Sequence, residues 1–379
     1  MKKFLDCISI VGATPSKFHG TKKYVSTGAV AITEIDESEV VEVTYEDRPS
    51  RANLSAEAGD ILFAKMQGTR KTLLLDSETE ENIYSTGFYA VRANPEVITT
   101  ECLYYLIDSE LFLAQKDKNC SGATQKAITN GGMAKIEISV PALSEQGILV
   151  DKLKHLTQLI ADKKKQLNLF DEIIKSRFIE LFGSISDDKK VSMSDVCLVI
   201  TDGTHQPPKF TSSGIPFLFV SNIVGNEITY DAEKYISEET YAQLIKRTPI
   251  EIGDVLLSTV GSYGHPAVVK SNKPFCFQRH IAYLKPKTQL IDSCYLHGAI
   301  LSLDVQKQIE ERVKGIAQKT LNLSEIRKLR LPLPAIVEQK QFAAFVEQVD
   351  KSKFYIVQMQ ILLRLLIQTI QQKTTEVLL

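Results

Sequence analysis

The chain has 379 residues, of which 44% are hydrophobic and 24% are charged, and its formal net charge is −1 at pH 7. This composition is typical of a soluble globular protein with two or three domains. It excludes a chain that coats nucleic acid by bulk positive charge, because Lys and Arg are needed to neutralise phosphates. No apolar run approaches the length of a bilayer-spanning helix, and the N-terminus lacks a small-residue cleavage site, so we expect a cytoplasmic protein without a membrane segment.

Charge is segregated along the sequence. Residues 33–60 are strongly acidic and residues 305–331 are basic, so a local anion-binding face is compatible with the neutral total. The six cysteines are scattered without a CxxC pair, and the six histidines show neither HxxxH nor HxH spacing. We therefore expect free, buried thiols and no metal site.

Residues 1–141 are predicted to form a mixed α/β globule. Short runs rich in Val, Ile, Phe and Leu, such as residues 56–64 and 84–92, are separated by Gly, Pro, Ser and Asn. This pattern is typical of strands joined by turns. Residues 100–115 have apolar side chains at helical spacing and are predicted to form one helix.

A long helix is predicted over residues 142–183. From Leu149 onward the apolar residues alternate between spacings of four and three, which is the heptad pattern of a coiled coil, interrupted by Lys163 and Arg177. A helix of about 40 residues is about 60 Å long and outruns a single globule, so its seam needs a partner. The predicted seam residues are Leu149, Leu153, Leu156, Ile160, Leu167, Phe170 and Ile174.

Residues 184–334 are predicted to form a second globule that repeats the first. The segment IEIGDVLLS (250–258) matches AEAGDILFA (56–64), and FQRHIAYLK (277–285) matches YSTGFYAVR (84–92). The same succession of strands and turns is therefore expected in both halves.

A second long helix is predicted over residues 335–379, again with heptad spacing and without an internal proline. Ser352 and Lys373 interrupt its apolar seam, which we expect to end at Val377. The apolar seam residues predicted before that end are Phe342, Phe345, Val349, Ile356, Met359, Leu363, Leu366 and Ile370.

The strongest internal repeat lies at the start of the two long helices. Residues 122–146 align with residues 315–339 at a constant offset of 193, and eight of the 25 positions are identical. The chain is therefore predicted to be a tandem duplication in the order globule, helix, globule, helix. Two antiparallel helices that bury their seams against each other would relate the globules by a pseudo-twofold axis, an arrangement that suits a partner of fixed pitch such as duplex DNA.

Three motifs in the second half occur in a characteristic order: TDGTHQPPKF (201–210), IEIGDVLLSTVGSYG (250–264) and GIAQKTLNLSEIRKLRLPLPAIVEQ (315–339). Together they resemble the target-recognition domain and spacer of specificity subunits from type I restriction–modification systems. The resemblance implies an α+β fold in which two α/β target-recognition globules form a tandem pseudo-twofold repeat with two long antiparallel coiled-coil helices. The first copy is more degenerate, with ATPSKF (13–18) where the second has GTHQPPKF.

The resemblance also implies a function. A specificity subunit is non-catalytic and reads a two-part sequence of double-stranded DNA with an unread gap. Its helices dock two adenine methyltransferase (modification) subunits, and ATP-dependent restriction subunits join for cleavage. The methyl-transfer and nuclease activities would then belong to the partners, and this chain would bind no cofactor.

Polar and basic residues on predicted loops of the second globule are candidate DNA contacts. Their hydroxyl, imidazole, amide, guanidinium and ammonium groups can reach phosphates or base edges, with Gln suited to adenine and Arg to guanine. An ordinary turn or a solvated surface explains any single member equally well. The candidates are Thr204, His205, Lys209, Ser262, Tyr263, His265, Gln278, Arg279, His280, Lys314, Gln318, Lys319 and Asn322.

The first globule offers corresponding candidates. The segment AKMQGTRK occupies the position of the second copy's glycine-rich hairpin tip. A solvated surface is again the alternative for each residue. The candidates are Lys17, Lys65, Gln67, Arg70, Lys71, Gln125 and Lys126.

Two other classes of function remain open at this stage. The sequence contains no GxG, GxxxxGK[ST] or GxSxG motif, which disfavours nucleotide-cofactor chemistry and a serine nucleophile. A metal-dependent DNA endonuclease is the enzymatic alternative, because acid-x-Lys occurs at Asp162–Lys164 and Asp188–Lys190. A coiled-coil scaffold that binds only protein is the third possibility.

Overall fold

The computed structural model of the chain describes residues 1–315 and 319–376, with side chains described as far as residue 372. The chain divides into two units: unit 1 contains Met1–Lys163 and Val357–Leu379, and unit 2 contains Lys164–Ile356. Both units are mixed α/β. The boundary between them passes through each of the two long helices.

Unit 1 is built on two four-stranded sheets, with strand orders β2-β11-β8-β9 and β6-β3-β10-β7, and the two-stranded pairs β1-β12 and β4-β5. The strands are β1 (Lys2–Lys3), β2 (Ile8–Val11), β3 (Lys22–Val25), β4 (Val30–Ala31), β5 (Glu34–Ile35), β6 (Val41–Val43), β7 (Ala52–Leu54), β8 (Ile61–Ala64), β9 (Thr72–Leu74), β10 (Ile83–Ser85), β11 (Phe88–Ala93) and β12 (Glu137–Ile138). The helices are α1 (Thr100–Ile107), α2 (Glu110–Lys118), α3 (Asn130–Met133) and the first half of α4 (Leu143–Phe182).

Unit 2 repeats this plan with the sheets β14-β20-β17-β18 and β16-β15-β19 and the pair β13-β21. The strands are β13 (Lys190–Ser192), β14 (Cys197–Asp202), β15 (Ile215–Leu218), β16 (Lys234–Ile236), β17 (Val255–Ser258), β18 (Pro266–Val268), β19 (Cys276–Phe277), β20 (Ile281–Pro286) and β21 (Arg330–Pro332). The helices are α5 (Met193–Val196), α6 (Glu238–Leu244), α7 (Ser293–Leu301), α8 (Leu303–Arg312), α9 (Leu323–Arg327) and α10 (Ile336–Glu376), whose second half belongs to unit 1.

The duplication extends to strand register. In unit 1 the parallel pair β10-β3 aligns Ile83 with Tyr24. In unit 2 the parallel pair β19-β15 aligns Cys276 with Phe217, which are the residues 193 positions later. The central strands β8 and β17 are buried at all four residues, as expected for apolar strands covered on both faces.

The repeated glutamine at the start of each long helix has the same contacts in both units. The side-chain oxygen of Gln146 accepts a hydrogen bond from the Thr99 amide at 2.7 Å, and its nitrogen donates to the carbonyl oxygens of Val97 and Pro141 at 3.0 Å. Both glutamines are fully buried. Because every polar atom of the amide is used, the glutamine fixes the N-cap of α1 to the beginning of α4.

Gln339 repeats this arrangement in unit 2. Its oxygen accepts from the Asp292 amide at 2.9 Å, and its nitrogen donates to the carbonyl oxygens of Leu290 and Pro334 at 3.0 and 2.9 Å. The repeated glutamine of the sequence is therefore an internal clamp between globule and helix.

The helix predicted over residues 100–115 is divided in the structure. The helix α1 ends at Ile107 and α2 begins at Glu110. The hydroxyl of Ser109 accepts a hydrogen bond from the Phe112 amide, so Ser109 caps a new helix and separates the two.

The two long helices contact each other within unit 2. The rings of Phe178 and Phe342 lie 5.4 Å apart in an edge-on arrangement, and Lys353 forms an ion pair with Asp171. The first contact joins the end of α4 to the start of α10, and the second lies earlier in α4 and later in α10, so the two helices run antiparallel within unit 2. The buried ends form an aromatic cluster that also contains Phe182 and Tyr295.

The predicted seam of α4 lies on the less exposed side of that helix. Leu153 is buried, and Leu149, Leu156, Ile160, Leu167, Phe170 and Ile174 are half-buried.

The predicted seam of α10 differs in register in its second half. Met359 and Leu366 are each 46% exposed, whereas the half-buried positions are Gln360 and Ile367. In unit 1 the Gln360 side chain donates to the Ile160 carbonyl oxygen at 3.5 Å. The polar Gln360 therefore occupies the seam position that the apolar pattern predicted for Met359. Phe342 and Val349 are buried, Phe345, Ile356, Leu363 and Ile370 are half-buried, and Val377 lies outside the described residues.

By length and composition, one helical segment among the described residues, Ile336–Gln372, is apolar enough to cross a membrane. The expectation that no such run exists was therefore wrong. It failed because between Phe354 and Ile370 the polar residues of α10 are mostly uncharged, with Arg364 as the only charged side chain. Length and composition alone are weak support for a membrane span, since a helix that packs against protein can pass the same test.

Candidate nucleic-acid interface

Three loops of unit 2 are joined by backbone hydrogen bonds into one surface, the second loop platform (residues 259–261, 278–280 and 319–321). The Thr259 amide donates to the His280 carbonyl oxygen at 2.9 Å, and the Leu321 amide donates to that of Thr259 at 2.8 Å. The Gly261 amide donates to the Lys319 carbonyl oxygen at 3.2 Å. Loops that are separate in sequence are thus held side by side.

Unit 1 contains the same backbone arrangement, the first loop platform (residues 65–67, 85–87 and 126–128). The Lys65 amide donates to the Gly87 carbonyl oxygen, the Ile128 amide to that of Lys65, and the Gln67 amide to that of Lys126, each at 2.9 Å. The adjoining turn has a positive φ of 72° at Gly68 in unit 1 and at Gly261 in unit 2, a conformation that favours glycine. The two platforms therefore share one backbone design.

Their side chains differ at equivalent positions. Lys65 of the first platform corresponds to Thr259 of the second, and Gly87 corresponds to His280. Only the Lys126 and Lys319 pair keeps the same residue type. One backbone thus presents two different sets of hydrogen-bonding groups.

The second loop platform borders a cavity of about 260 Å³, lined in part by Asp202, Thr259, Arg279, His280 and Asn322. Arg279 is exposed and lies beside His280, with Nε 3.4 Å from the imidazole Nε2. Burial, and to a lesser extent the Arg279 charge, lowers the pKa of His280. The cavity therefore presents a cation, a neutral imidazole and a carboxylate together.

The loop before this cavity holds Thr204 and His205 of the predicted set. The Thr204 amide donates to the Phe277 carbonyl oxygen at 2.9 Å, and the Arg279 amide donates to that of Thr204 at 3.0 Å. Gly203 allows this approach, because a Cβ atom there would lie 2.3 Å from the Phe277 oxygen. The chain can therefore bring Thr204 beside Gln278 and Arg279.

Asp202 is the acidic centre of this loop. It accepts a hydrogen bond from Arg247 at 2.7 Å, and His205 Nε2 lies 2.9 Å from its other oxygen. Neither Asp202 nor Arg247 was among the residues selected from the sequence. Lys209 is exposed farther along the same segment.

The hairpin tip of unit 2 contributes Ser262, which is exposed, and Tyr263, which is half-buried. Lys319 lies over the Tyr263 ring with its ammonium 6.0 Å from the ring centre. His265 faces inward, where its Nδ1 lies 3.1 Å from the side-chain oxygen of Asn226. The His265 side chain therefore contacts the protein interior, whereas Ser262 is exposed.

Lys314 and Asn322 of the predicted set are exposed. The backbone of Lys314 pairs with that of Thr320. Gln318 lies outside the described residues.

In unit 1, Lys65 lies over the ring of Tyr89 with its ammonium 4.4 Å from the ring centre. The Tyr89 hydroxyl donates to the side-chain oxygen of Asn130 at 2.7 Å. Burial lowers the pKa of Lys65. Sequence reasoning selected Lys65 but missed Tyr89, which the pairing of β11 with β8 brings beside it, and Asn130 at the start of α3.

The other candidates of unit 1 vary in accessibility. Gln125 and Lys126 are exposed beside the first loop platform. Arg70 is engaged by two acids, with guanidinium distances of 3.0 Å to Asp108 and 2.6 Å to Glu110.

Lys71 donates to the Thr27 carbonyl oxygen. Lys17 is exposed and lies 3.6 Å from Glu46. Gln67 is exposed and donates to the Asp117 carbonyl oxygen. Of the first-unit candidates, Lys65, Gln67, Gln125 and Lys126 thus lie together, whereas Arg70 and Lys71 have internal partners.

Residues 1–315 and 319–372 contain no group of three or more His, Cys, Asp or Glu side chains arranged to hold a metal ion. Asp162 lies on an exposed position of α4, where Gln158 donates to it. Asp188 lies in the exposed segment before β13. The two acid-x-Lys motifs thus lie on surface segments, and neither belongs to a metal-binding group of acidic side chains in the described part of the chain.

A family model, the type I restriction modification DNA specificity domain, matches the chain twice, over residues 11–169 and 186–365. The chain is 25% identical over 268 residues to the type I restriction enzyme EcoBI specificity subunit of Escherichia coli, covering 62% of this chain and 56% of that protein. It is 21% identical over 239 residues to the MjaVIII specificity subunit of Methanocaldococcus jannaschii, covering 57% and 55%. The chain therefore spans about half the length of these relatives.

Among solved structures, one from work on complex assembly and conformational transition of the type I R-M system is similar over 97% of both chains, with a TM-score of 0.54 and 22% identity. At this level of identity, the likeness establishes a shared fold.

Proposed function

The chain belongs to the type I restriction modification DNA specificity domain family, and from this premise we propose that it reads a two-part DNA target, one half with each loop platform. The observation that carries the proposal is the repeated backbone of the two platforms together with their different side chains. Base readout needs donors and acceptors held rigidly at defined positions. A common backbone with exchanged side chains meets this need for two different half-sites.

For the second half-site we assign base contacts to Arg279, His280 and Gln278, and phosphate contacts to Lys314 and Lys319. Arg279 is exposed at the edge of a polar cavity, and guanidinium groups suit the paired acceptors of guanine. Both lysines are exposed, and each is next to Thr320 of the cavity wall, Lys319 in sequence and Lys314 by backbone pairing. There they would add affinity without sequence preference.

For the first half-site we assign Lys65, Gln67 and Lys126, joined by Tyr89 and Asn130. The exposed amide of Gln67 suits adenine, and the Lys65 ammonium over the Tyr89 ring is held near the platform surface. We therefore expect the two half-sites to differ in sequence.

We also propose that the long helices form an antiparallel coiled coil that fixes the distance between the half-sites and docks two adenine methyltransferase subunits, with restriction subunits joining for cleavage. The contacts of α4 with α10 within unit 2 and the outward apolar residues support this. In unit 1, Ile361, Leu362 and Leu365 are 47%, 65% and 52% exposed, which suits a protein partner better than water.

The assigned segments are residues 1–141 and 184–334 for recognition and 142–183 and 335–379 for the helices. Catalysis would then belong to the partner subunits, and the chain would act in the cytoplasm. The ion pairs of Asp350 with Lys270 and of Lys353 with Asp171 along α10 favour a protein-packed helix over a membrane span.

Exchange of residues 184–334 for the corresponding segment of another family member tests the proposal. Methylated adenines would be mapped in DNA modified by the exchanged chain together with methyltransferase subunits. We expect one half of the methylated sequence to change and the other half to persist. A change in both halves, or in neither, would contradict the assignment of one half-site to each unit.

Two further experiments separate the alternatives. Purified chain with Mg²⁺ alone should leave DNA intact, and cleavage would favour a metal-dependent endonuclease. Insertion of two helical turns into both long helices should lengthen the unread gap. An unchanged gap would refute the spacing role. If the complex that contains the unaltered chain does not bind DNA, a protein-only scaffold is favoured.

A further inference from the structure

A lysine is buried behind the first loop platform. Lys116 of α2 is only 2% exposed. Its ammonium donates to the carbonyl oxygens of Ala64, Met66 and Thr69 at 3.3, 2.8 and 2.8 Å. Because an ammonium has three donors and no acceptor, the three bonds use all of its protons.

The three carbonyls belong to the turn that carries Lys65 and Gln67. Carbonyl groups shielded from water require partners, and here one side chain donates to all three from the rear of the turn. The Met66 oxygen accepts in addition from the Thr69 amide at 3.3 Å. The next residue of α2 adds a fourth contact, because the Asp117 carbonyl oxygen accepts from the Gln67 side chain at 3.2 Å. The helix α2 thus fixes both the backbone of the turn and one of its side chains.

A buried ammonium is a costly way to stabilise a fold, because burial removes the charge from water. The pKa of Lys116 is lowered chiefly by this burial, which the charge of Asp117 partly offsets. One Asp117 carboxylate oxygen lies 3.5 Å from the ammonium. An apolar residue would avoid the desolvation cost but would remove the Lys116 donor from all three carbonyls, of which that of Met66 keeps the Thr69 amide.

Unit 2 holds its corresponding turn differently. The position equivalent to Lys116 is Ile309, which is fully buried and apolar. There Gln306 of α8 donates to the Gly264 carbonyl oxygen at 2.9 Å, and Ser258 accepts from the His265 amide at 2.9 Å. The buried lysine is therefore specific to the first copy.

We propose that Lys116 is a positioning residue for DNA recognition, which holds the turn 64–69 so that Lys65 and Gln67 face the first half of the target. The inference rests on the proposed function of the first loop platform. Lys116 itself does not touch DNA. Its effect is expected in discrimination between sequences at one half-site.

The test uses the full chain in complex with methyltransferase subunits and measures binding to the target and to duplexes with single base changes in either half. Lys116→Met keeps a similar length and volume but removes the donors. We expect roughly tenfold lower discrimination at the first half-site and unchanged discrimination at the second, a loss that corresponds to about 1.4 kcal/mol. Lys118→Met, an exposed change on the same helix, is the matched control.

The converse variant is Gln306→Leu, which should weaken discrimination at the second half-site alone. If Lys116→Met retains wild-type discrimination at the first half-site, the positioning role is refuted. If the unaltered complex discriminates at neither half-site, the proposed function fails instead. The two failures are therefore distinguishable.

A second measurement applies even if Lys116→Met does not fold. A neutral amine has two donors, so deprotonation of Lys116 removes one of the three hydrogen bonds that it makes to the turn. Discrimination at the first half-site should then fall at alkaline pH below the ordinary lysine range, while the second half-site is unaffected. Asp117 and Cys120 are the titratable groups that act on Lys116. The Cys120 thiol also donates to the Lys65 carbonyl oxygen of the turn, so the variant used for the pH series carries Cys120→Ser, which keeps a donor at position 120 but does not titrate in this range.

The pKa of Lys65 is also lowered by burial, so the pH series is made in a Lys65→Arg background, where position 65 does not titrate. Persistence of the alkaline loss assigns it to Lys116. A flat profile in that background would overturn the proposal.

Discussion

The two loop platforms differ in what lies on them and in what lies behind them, while their backbone bonds are the same. The first exposes Gln67 beside Lys65 and is held by the charged Lys116; the second exposes Arg279 and is held by the neutral Gln306. The comparison shows that the backbone of a platform is retained in the two units while both its exposed side chains and its supports are exchanged. Each side of this comparison can be tested separately.

The largest difference between the two units is expected in the stability that each loses when a side chain near the start of its long helix is truncated. In unit 2 the fully buried Phe342 packs in the aromatic cluster with Phe178, Phe182 and Tyr295. Its equivalent in unit 1 is the half-buried Leu149. Phe342→Ala should cost about 3–5 kcal/mol of unfolding free energy through cavity formation.

Leu149→Ala should cost less than half as much, because part of that side chain remains in water. Denaturant unfolding of both variants measures the difference. Equal losses would show that the aromatic cluster does not anchor α10 more firmly than the aliphatic contact anchors α4.

The glutamine clamps should respond alike, because their contacts are the same in the two units. Gln146→Leu and Gln339→Leu each leave one amide and two carbonyls without a partner. We expect a loss on the order of 3 kcal/mol for each, by unfolding in denaturant. Gln115→Leu provides a comparison and should cost less, because this half-buried side chain of α2 bonds to one amide and one carbonyl, both of Glu137. A large difference between the two clamp variants would contradict their equivalence.

Arg279→Ala tests whether the second platform contacts bases as well as phosphates. If Arg279 makes the proposed bidentate contact to one base, we expect a loss of about 1–3 kcal/mol in discrimination at one position of the second half-site. Lys319→Ala should instead weaken binding to all sequences and reduce its salt dependence. Binding measured over a salt series with single-base variants checks both. Uniform weakening by Arg279→Ala would assign Arg279 to a phosphate.

The sequence predicted the family, the long helices and the 193-residue offset, because these depend on apolar spacing and on motifs that are local in the chain. It did not predict the register of α10, where Gln360 takes a position that an apolar pattern gives to Met359. It also missed Lys116 and Tyr89. Their importance arises from strand pairing and from the path of α2, which bring together residues distant in sequence.

The smallest expected effect concerns acid stability and again distinguishes the units. In unit 2 the backbone oxygen of Asn226 accepts from His297 at 3.0 Å, and its side-chain oxygen lies beside His265. Burial lowers the pKa of both histidines. The equivalent of His297 in unit 1 is Tyr104, whose pKa burial raises to about 12, so the first unit lacks this titration.

Because the folded state favours neutral His297, the unfolded chain binds more protons once the pH falls below about 6.5. Stability should therefore be complete above that pH and decline as the pH falls toward the lowered folded pKa. Lys270, Glu227 and Asp350 act on the same imidazole, so salt should change the size of the effect. His297→Gln keeps a donor for Asn226 but does not titrate, and it should lose less stability than the unaltered chain between pH 7.5 and 5.5. An identical loss in both would assign the acid sensitivity to other groups, and the difference between the units would then be one of packing alone.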